Sequence, residues 1–162
     1  MRIVIIGALL LLPVFASAQT PRPHIKRTNP PTLSKPTGYT HVVETAGAVK
    51  TVYISGQIAY DAGGNLVGAG DMRVQAEQVF KNLEAALKAA GATFADVVKM
   101  NSYITDMSKI QAVRDVRTRY FGETLPASTF VEVKGLVRPE LLLEIEVVAA
   151  VREGVTVRPA SR

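Results

Sequence analysis

The sequence of 162 residues contains no cysteine and no tryptophan, and His24 and His41 are its only histidines. Without cysteine the chain forms no disulfide and offers no thiolate, which excludes a cysteine nucleophile and the thiolate-bound metal centres. Two isolated histidines do not supply the ligand spacing of a zinc or copper site. We therefore expect a protein that works without a metal ion.

The motifs of two common functional classes are also absent. No Gly-x-Ser-x-Gly sequence provides the nucleophile elbow of a serine hydrolase. The glycines at 63–64 and 68–70 do not match a phosphate-binding loop, and we predict turns there. The sequence therefore predicts neither a serine hydrolase nor a nucleotide-binding protein.

Positive charge is concentrated outside the central part of the chain. The net charge is +5, yet within residues 36–151 Asp and Glu slightly outnumber Lys and Arg. Arg114, Arg117 and Arg119 are interleaved with acidic residues and have no aromatic stacking platform beside them. We interpret them as a solvated helix face and expect no nucleic-acid partner.

The long hydrophobic run of the chain is at its start. Ile3–Val14 is almost wholly apolar, follows Arg2 and precedes Ala-Ser-Ala at residues 16–18. This pattern predicts that residues 1–18 are a cleaved signal peptide. Because a membrane-spanning helix needs about 20 apolar residues, we expect no stable membrane insertion after cleavage. The mature protein is then expected to be periplasmic or secreted.

Proline content divides the rest of the chain. Residues 19–36 are rich in proline and are predicted to be an extended linker that forms neither a helix nor a central strand. Residues 37–152 are predicted to fold as one domain, and residues 153–162 as a flexible C-terminal tail.

Hydrophobic periodicity predicts the elements of the domain. His41–Thr45 and Val49–Ser55 are β-rich and flank Ala46–Ala48, which suggests a hairpin. Asp71 is placed to cap a helix that runs to about Ala90. The remaining predictions are a turn at 61–65, a strand at 97–105, a helix opened by a capping box at 108–111, and strands at 129–133 and 141–151.

This order of elements predicts an α+β fold with a mixed β-sheet and two helices that cover only one face. We expect the other face to be apolar. A large exposed apolar surface is rarely tolerated in a monomer, so the pattern also predicts self-association.

Three blocks of the sequence carry a family resemblance. They are Tyr-Ile-Ser-Gly-Gln-Ile at Tyr53–Ile58, Leu-Pro-Ala-Ser-Thr-Phe-Val-Glu-Val at Leu125–Val133, and Leu-Glu-Ile-Glu at Leu143–Glu146. They resemble the Ser-Gly-Gln, Pro-Ala-Arg-Ser and Ile-Glu-Ile-Glu strands of the RidA/YjgF family, the reactive-intermediate deaminases. Gly38-Tyr39 is similar to the family's Gly-Pro-Tyr loop.

The resemblance implies a chorismate-mutase-like fold and a homotrimer around a central β-barrel, with a small-molecule ligand at each subunit interface. The family hydrolyses enamines or imines to a carbonyl compound and ammonia without a metal or an organic cofactor. It further implies that Glu144 positions and activates water and that Tyr39 closes the pocket. Ser55 and the backbone of Gly56 would line that pocket.

The residues themselves partly support these roles. Glu144 follows the apolar segment Leu141–Leu143, where burial favours a neutral carboxyl and suits proton exchange. A purely structural role for Glu144 is an equal alternative. Glu146 is two residues further on the same strand and shares its face, and we interpret it as structural.

Ser128 departs from the family pattern because the family has its carboxylate-binding arginine there. Serine cannot form the bidentate contact that a guanidinium makes with a carboxylate. Three alternatives follow: another cation binds the carboxylate, the substrate lacks a carboxylate, or the site binds without turnover. Lys134 and Arg138 lie nearby in sequence, and we expect Arg138 to be exposed.

The resulting hypothesis is an exported imine or enamine deaminase with an altered substrate class. The main alternative is a non-catalytic trimer that binds a small molecule, with Ser128 as a neutral hydrogen-bond partner. A weaker alternative is a chaperone-like or RNA-active protein that works through its surface.

Overall fold

The computed structural model describes residues 24–47 and 49–152. The predicted signal peptide and the predicted C-terminal tail lie outside these residues. The described elements are β1 His24–Thr28, β2 Val42–Ala46, β3 Val49–Gln57, α1 Met72–Ala89, β4 Val97–Ile104, α2 Ile110–Phe121, β5 Ala127–Glu132 and β6 Leu143–Arg152.

Four of the described strands form one mixed sheet in the order β3-β6-β4-β5. β6 runs antiparallel to both β3 and β4, whereas β4 and β5 are parallel. A parallel pair needs a crossover connection, and α2 lies between β4 and β5 in the chain as that connection. The predicted α+β class with a mixed sheet and two helices is confirmed.

The core lies between this sheet and the two helices. Alternate residues of β6, among them Leu143, Ile145 and Val147, are buried and join a hydrophobic cluster with α1 and α2. Aromatic rings fill the middle of the cluster, where Phe80 stacks on Tyr120 with centroids 5.1 Å apart. The alternation of β6 therefore directs its even-numbered residues to the opposite, helix-free face of the sheet.

The two helices begin differently from each other. Asp71 caps α1 by accepting hydrogen bonds from the backbone N–H groups of Arg73 and Val74, as predicted. The predicted capping box at residues 108–111 is wrong. Asp106 instead accepts from the backbone N–H of Ser108 at the start of a short 3₁₀ helix, Met107–Lys109, that leads into α2.

The predicted hairpin between the first two β-rich segments is also wrong. β2 pairs antiparallel with β1, not with β3, and these two strands form a separate sheet. β1 lies in the segment predicted to be a linker. Arg27 explains why this segment is fixed to the domain, because its guanidinium donates to the backbone carbonyls of Leu125, Ala95 and Val97.

The helix-free face of the sheet is more polar than expected. Lys99, Asn101 and Tyr103 alternate along β4 with buried residues, and Glu144 and Glu146 neighbour them on β6. Exposed apolar side chains such as Tyr53 and Val131 lie on the same face, so the prediction of an apolar uncovered face is met only in part. Between residues 24 and 152, leaving out residue 48, neither helix has the length and apolar content that crossing a membrane requires.

Candidate active site

The centre of the candidate site is the contact between Gly56 and Glu144. A bulge between Ile54 and Gln57 interrupts the pairing of β3 with β6, and Gly56 lies in it. A Cβ atom at Gly56 would lie 2.7 Å from Cδ and 2.9 Å from Cγ of Glu144 and would collide with the carboxylate. Only glycine leaves room for the Glu144 side chain in this position.

The two glutamates of β6 differ in their hydrogen bonds. Glu146 Oε1 accepts from Asn101 Nδ2 at 2.8 Å and from the Tyr103 hydroxyl at 3.1 Å. Within the described part of the chain, no donor satisfies the carboxylate of Glu144. Glu146 is thus held by two hydrogen bonds from neighbouring side chains, whereas Glu144 keeps its acceptor atoms available to a ligand.

Tyr103 connects the two carboxylates electrostatically. The hydrogen bond that it donates to Glu146 raises the pKa of the Tyr103 phenol, and desolvation and the charges of Glu146 and Glu144 raise it further. A phenol is already protonated at neutral pH at its ordinary pKa of 10.0, and the upward shift extends that range. Tyr103 therefore remains a hydrogen-bond donor on this face of the sheet.

A groove of 460 Å³ runs across the helix-free face beside these groups. Its lining crosses β3, β6 and β4: Tyr53, Ile54, Ser55, Lys99, Asn101, Glu146, Val147 and Val148. Lys99 Nζ donates to Thr129 Oγ1 at 2.7 Å, which holds a cation at one side of the groove. The groove is large enough for a small metabolite.

Ser128 does not lie beside Glu144 within one protomer. It is the register partner of Met100, which is buried on the helix side, whereas Glu144 is the partner of Tyr103. The two side chains thus occupy opposite faces of the sheet. They are also separated by three residues along β4, about 10 Å.

The loop of Tyr39 is attached just before β5, and Tyr39 does not line the groove. The next residue, Thr40, donates its N–H to Pro126 O at 3.0 Å and its hydroxyl to Leu125 O at 2.7 Å. The Tyr39 ring packs edge-on against His41, with centroids 5.1 Å apart. The predicted site residues therefore form two groups in one protomer: Ser55, Gly56 and Glu144 on one side, and Tyr39 and Ser128 on the other.

A buried arginine adjoins the second group. Arg117 of α2 is only 6% exposed, and its guanidinium lies against the backbone of Gly38, where a Cβ would be 3.1 Å from Cζ. Burial lowers the pKa of Arg117, and the charge of Arg114 lowers it further. The prediction that all three arginines of this helix are solvated is wrong for Arg117. Lys134 and Arg138, by contrast, are exposed.

Four residues near the site were not predicted from the sequence, although the periodicity of their strand or helix indicates which way they face. Lys99, Asn101 and Tyr103 are the polar half of a strict alternation in β4. Arg117 is four residues after the buried Val113, so helical periodicity places it on the inward face. Within the described ranges, no cluster of three His, Asp or Glu side chains is arranged to hold a metal ion.

Comparison with known proteins agrees with this architecture. The family model described as Endoribonuclease L-PSP matches residues 32–151. The structure superposes on that of a conserved Rid family protein from Yersinia pestis with a TM-score of 0.73, 37% identity, and coverage of 78% of this chain and 98% of the other.

Two curated relatives are similar over most of their own length. A RutC family protein from Pyrococcus horikoshii is 39% identical over 98 residues, which is 60% of this chain and 77% of the relative. A protein from Dermatophagoides farinae named 2-iminobutanoate/2-iminopropanoate deaminase is 36% identical over 107 residues, 65% of this chain and 81% of the relative.

Proposed function

The chain belongs to the RidA/YjgF family, and from that premise we propose that it hydrolyses a reactive imine or enamine to a carbonyl compound and ammonia. The relative from Dermatophagoides farinae carries the name of an imine deaminase. The proposed reaction adds water across the C=N bond and then breaks the C–N bond. It uses no redox step.

Glu144 is the proposed acid and base of this reaction. Its carboxylate takes a proton from water as the oxygen attacks the imine carbon and passes that proton to the nitrogen, which gives a carbinolamine. It then takes the hydroxyl proton of the carbinolamine as the C=O bond forms and passes it to the nitrogen, which leaves as ammonia when the C–N bond breaks. The carbonyl product and ammonia account for all the atoms of the imine and the water. Ser55 and the backbone at Gly56 line the ligand side of the carboxylate in this proposal.

The observation that carries the proposal is the contrast between the two glutamates. Glu146 is satisfied by Asn101 and Tyr103, whereas Glu144 has no donor among the described residues and is accommodated by a glycine. The carboxylate oxygens of Glu144 are therefore free to accept hydrogen bonds from a ligand.

The test is ammonia release from imines that an amino-acid or amine oxidase generates in situ. Imines also hydrolyse in water, so the measured quantity is the rate above a protein-free control. We expect Glu144→Gln to lower this rate about 100-fold or more, the usual contribution of a general acid or base. Glu123→Gln is the matched control, because it makes the same substitution at an exposed position outside the groove.

Two outcomes decide against the proposal in different ways. Equal rates for Glu144→Gln and the wild type would exclude Glu144 as the acid and base. If no imine is hydrolysed above background while calorimetry still detects a bound small molecule, the non-catalytic binding trimer is the function. Ser128→Arg supplies a third comparison, since faster hydrolysis of imines from amino acids in that variant would indicate that the wild type acts on another class of imine.

We also propose that the site is completed in a homotrimer. The two groups of site residues lie on opposite faces of the sheet in one protomer, so a small molecule can contact both only where two copies meet. The exposed side chains of Tyr53 and Val131, 78% and 40% accessible, support burial of the helix-free face against other copies. Analytical ultracentrifugation should give a mass three times that of the mature chain, and a monomer would contradict this proposal.

Export is a separate proposal that rests on the sequence. Arg2, the apolar run Ile3–Val14 and the Ala-Ser-Ala at residues 16–18 have the order of a secretory signal. Mass spectrometry of the mature protein should find Gln19 at its N-terminus, in the periplasmic fraction or in the medium. An intact N-terminus in the cytosolic fraction would contradict the proposal.

A further inference from the structure

Arg27 of the first strand is bonded to three backbone carbonyls that are distant in the chain. Its Nε atom donates to Leu125 O at 3.2 Å, and one of its Nη atoms donates to Ala95 O at 3.0 Å and Val97 O at 3.3 Å. Leu125 lies two residues before β5, and Ala95 and Val97 lie just before and at the start of β4. Arg27 therefore joins β1 to the beginnings of two strands of the main sheet.

The loop of Tyr39 is attached to one of these carbonyls. Thr40 donates its hydroxyl to Leu125 O at 2.7 Å and its N–H to Pro126 O at 3.0 Å. The carbonyl oxygen of Leu125 thus accepts hydrogen bonds from both Arg27 and Thr40. Through this oxygen, β1 is connected to the residue that follows Tyr39.

The segment after β1 holds the other neighbour of Tyr39. Asn29 Oδ1 accepts from the backbone N–H of His41 at 2.9 Å, and His41 Nε2 donates to Ser34 O at 2.8 Å. The Tyr39 ring packs edge-on against this imidazole. Residues 27–34 therefore fix both the backbone beside Tyr39 and the ring on which its side chain packs.

We infer that Arg27 is a positioning residue for the proposed site, because it holds the Tyr39 loop and the start of β5 in a fixed relation to each other. The inference rests on the proposed function, in which Tyr39 closes the pocket. Arg27 does not line the groove and acts through Leu125 and Thr40. It also precedes residue 32, where the match to the family model begins. Small displacements of a positioned group can cost a large part of its effect on a reaction.

Hydrogen exchange measured by mass spectrometry tests the position of the loop without a substrate. Arg27→Gln leaves a neutral side chain that is too short to bond all three carbonyls. We expect peptides that contain Thr40 and His41 to exchange about 10-fold faster in this variant, because local opening then needs fewer broken hydrogen bonds. Lys26→Gln is the matched control. It removes the same charge from the same strand, but its ion pair with Glu44 is exposed, so exchange should stay at the wild-type rate.

Steady-state kinetics test whether Arg27 acts through Tyr39. In Arg27→Gln, we expect the KM for an imine to rise about 10-fold and kcat to stay within about twofold, because Tyr39 is proposed to bind the ligand and not to transfer protons. Arg27→Lys should recover part of the affinity, since it keeps the charge but not the fork of donors. In a Tyr39→Ala background, Arg27→Gln should change KM no further, whereas independent residues would give additive losses.

The inference and the proposed function can fail separately. Wild-type exchange rates in Arg27→Gln, or additive losses in the double variant, overturn the inference even if imines are hydrolysed. Faster exchange throughout the domain, α1 included, would show a general loss of stability and would overturn it as well. Faster exchange confined to the Tyr39 loop, together with no imine hydrolysis by the wild type, would leave the positioning role standing and refute the proposed function.

Discussion

The candidate site depends on one close contact between two residues, Gly56 and Glu144. The φ angle of Gly56 is not positive, so its backbone conformation does not require glycine. Glycine is required there only because a Cβ atom would collide with Glu144. The nearest atoms include Cγ of Glu144 as well as its carboxylate, which means that rotation of the carboxylate alone does not relieve a clash. A methyl group at Gly56 must therefore move the whole side chain.

We expect Gly56→Ala to lower the free energy of unfolding by about 1 kcal/mol through this overpacking. In a Glu144→Ala background the same change should cost nothing measurable, because the obstructing side chain is gone. Urea denaturation of the two single variants and the double variant gives the coupling energy, expected at about 1 kcal/mol. Additive effects would mean that the methyl group clashes with something other than Glu144.

The residue scale also shows what a sequence can and cannot supply. Glu144, Gly56 and Ser55 were predicted from the family motif, and the structure brings Glu144 and Gly56 into contact. Arg117 was misassigned because three arginines interleaved with acids resemble a solvated helix face. Its burial depends on Gly38, nearly 80 residues earlier in the chain, and no local pattern contains that contact.

At the scale of elements, a buried glutamine joins α1 to the start of β6. Gln75 is fully buried, donates to Gly68 O at 3.2 Å and Glu140 O at 2.9 Å, and accepts from Leu142 N at 2.8 Å. These bonds fix the residues that lead into the strand of Glu144. Hydrophobic patterning does not predict such a residue, because a glutamine in a helix normally faces water.

Gln75→Met keeps the side-chain volume and removes all three bonds. The buried N–H of Leu142 and two carbonyls then lose their partner, so we expect a loss of about 2–4 kcal/mol in the free energy of unfolding. Gln111→Met, an exposed site on α2, is the control and should change the free energy by less than about 0.5 kcal/mol. Equal effects at the two positions would show that the buried bonds contribute nothing.

The turn after β3 predicts a pH dependence. Hydrogen bonds from the backbone and side chain of Asn65 lower the pKa of Asp61 below its ordinary value of 3.8, and the backbone N–H groups of Gly63 and Gly64 lower it further. A lowered folded-state pKa means that the ionised carboxylate stabilises the fold above the unfolded-state pKa. This contribution is lost as the pH falls through the folded-state pKa.

Asp61→Asn removes the charge but keeps an acceptor oxygen. In urea denaturation the wild type should be more stable than this variant at neutral pH, and the difference should shrink as the pH falls below 3.8. Glu123→Gln, in the exposed loop after α2, is the control. A difference that grows at acid pH would contradict the assignment.

The pairing of the β-strands was the part of the fold that the sequence predicted least well. The segment 24–28 has prolines on both sides, so composition indicated a linker, yet it forms β1. β1 and β2 pair across 13 intervening residues, and Arg27 attaches them to three carbonyls on distant parts of the chain. By contrast, α1 was predicted to within a residue or two at each end because its cap and its apolar stripe are local.

At the scale of the whole molecule, the predicted site residues of one protomer form two separate groups. Ser55, Gly56 and Glu144 belong to the helix-free face, whereas Tyr39, Ser128 and Arg117 lie at the β5 edge and on the helix side. This division gives a second reason for assembly besides the exposed Tyr53 and Val131 of the helix-free face. In the proposed trimer, the neighbouring copy completes the site.

Mixed trimers test this division directly. Glu144→Gln removes the proposed acid and base, and Tyr39→Ala removes the side chain proposed to close the pocket, so each variant alone should hydrolyse imines poorly. When the two variants are co-expressed in equal amounts, about one quarter of the sites should combine an intact Glu144 from one subunit with an intact Tyr39 from its neighbour. Imine hydrolysis should then recover to about that fraction of the wild-type rate. If both residues served one site from the same subunit, every site in the mixture would carry a defect and no activity would return. Co-expressing Glu144→Gln with Glu144→Ala controls for recovery caused by mixing alone, and it should stay inactive in either arrangement.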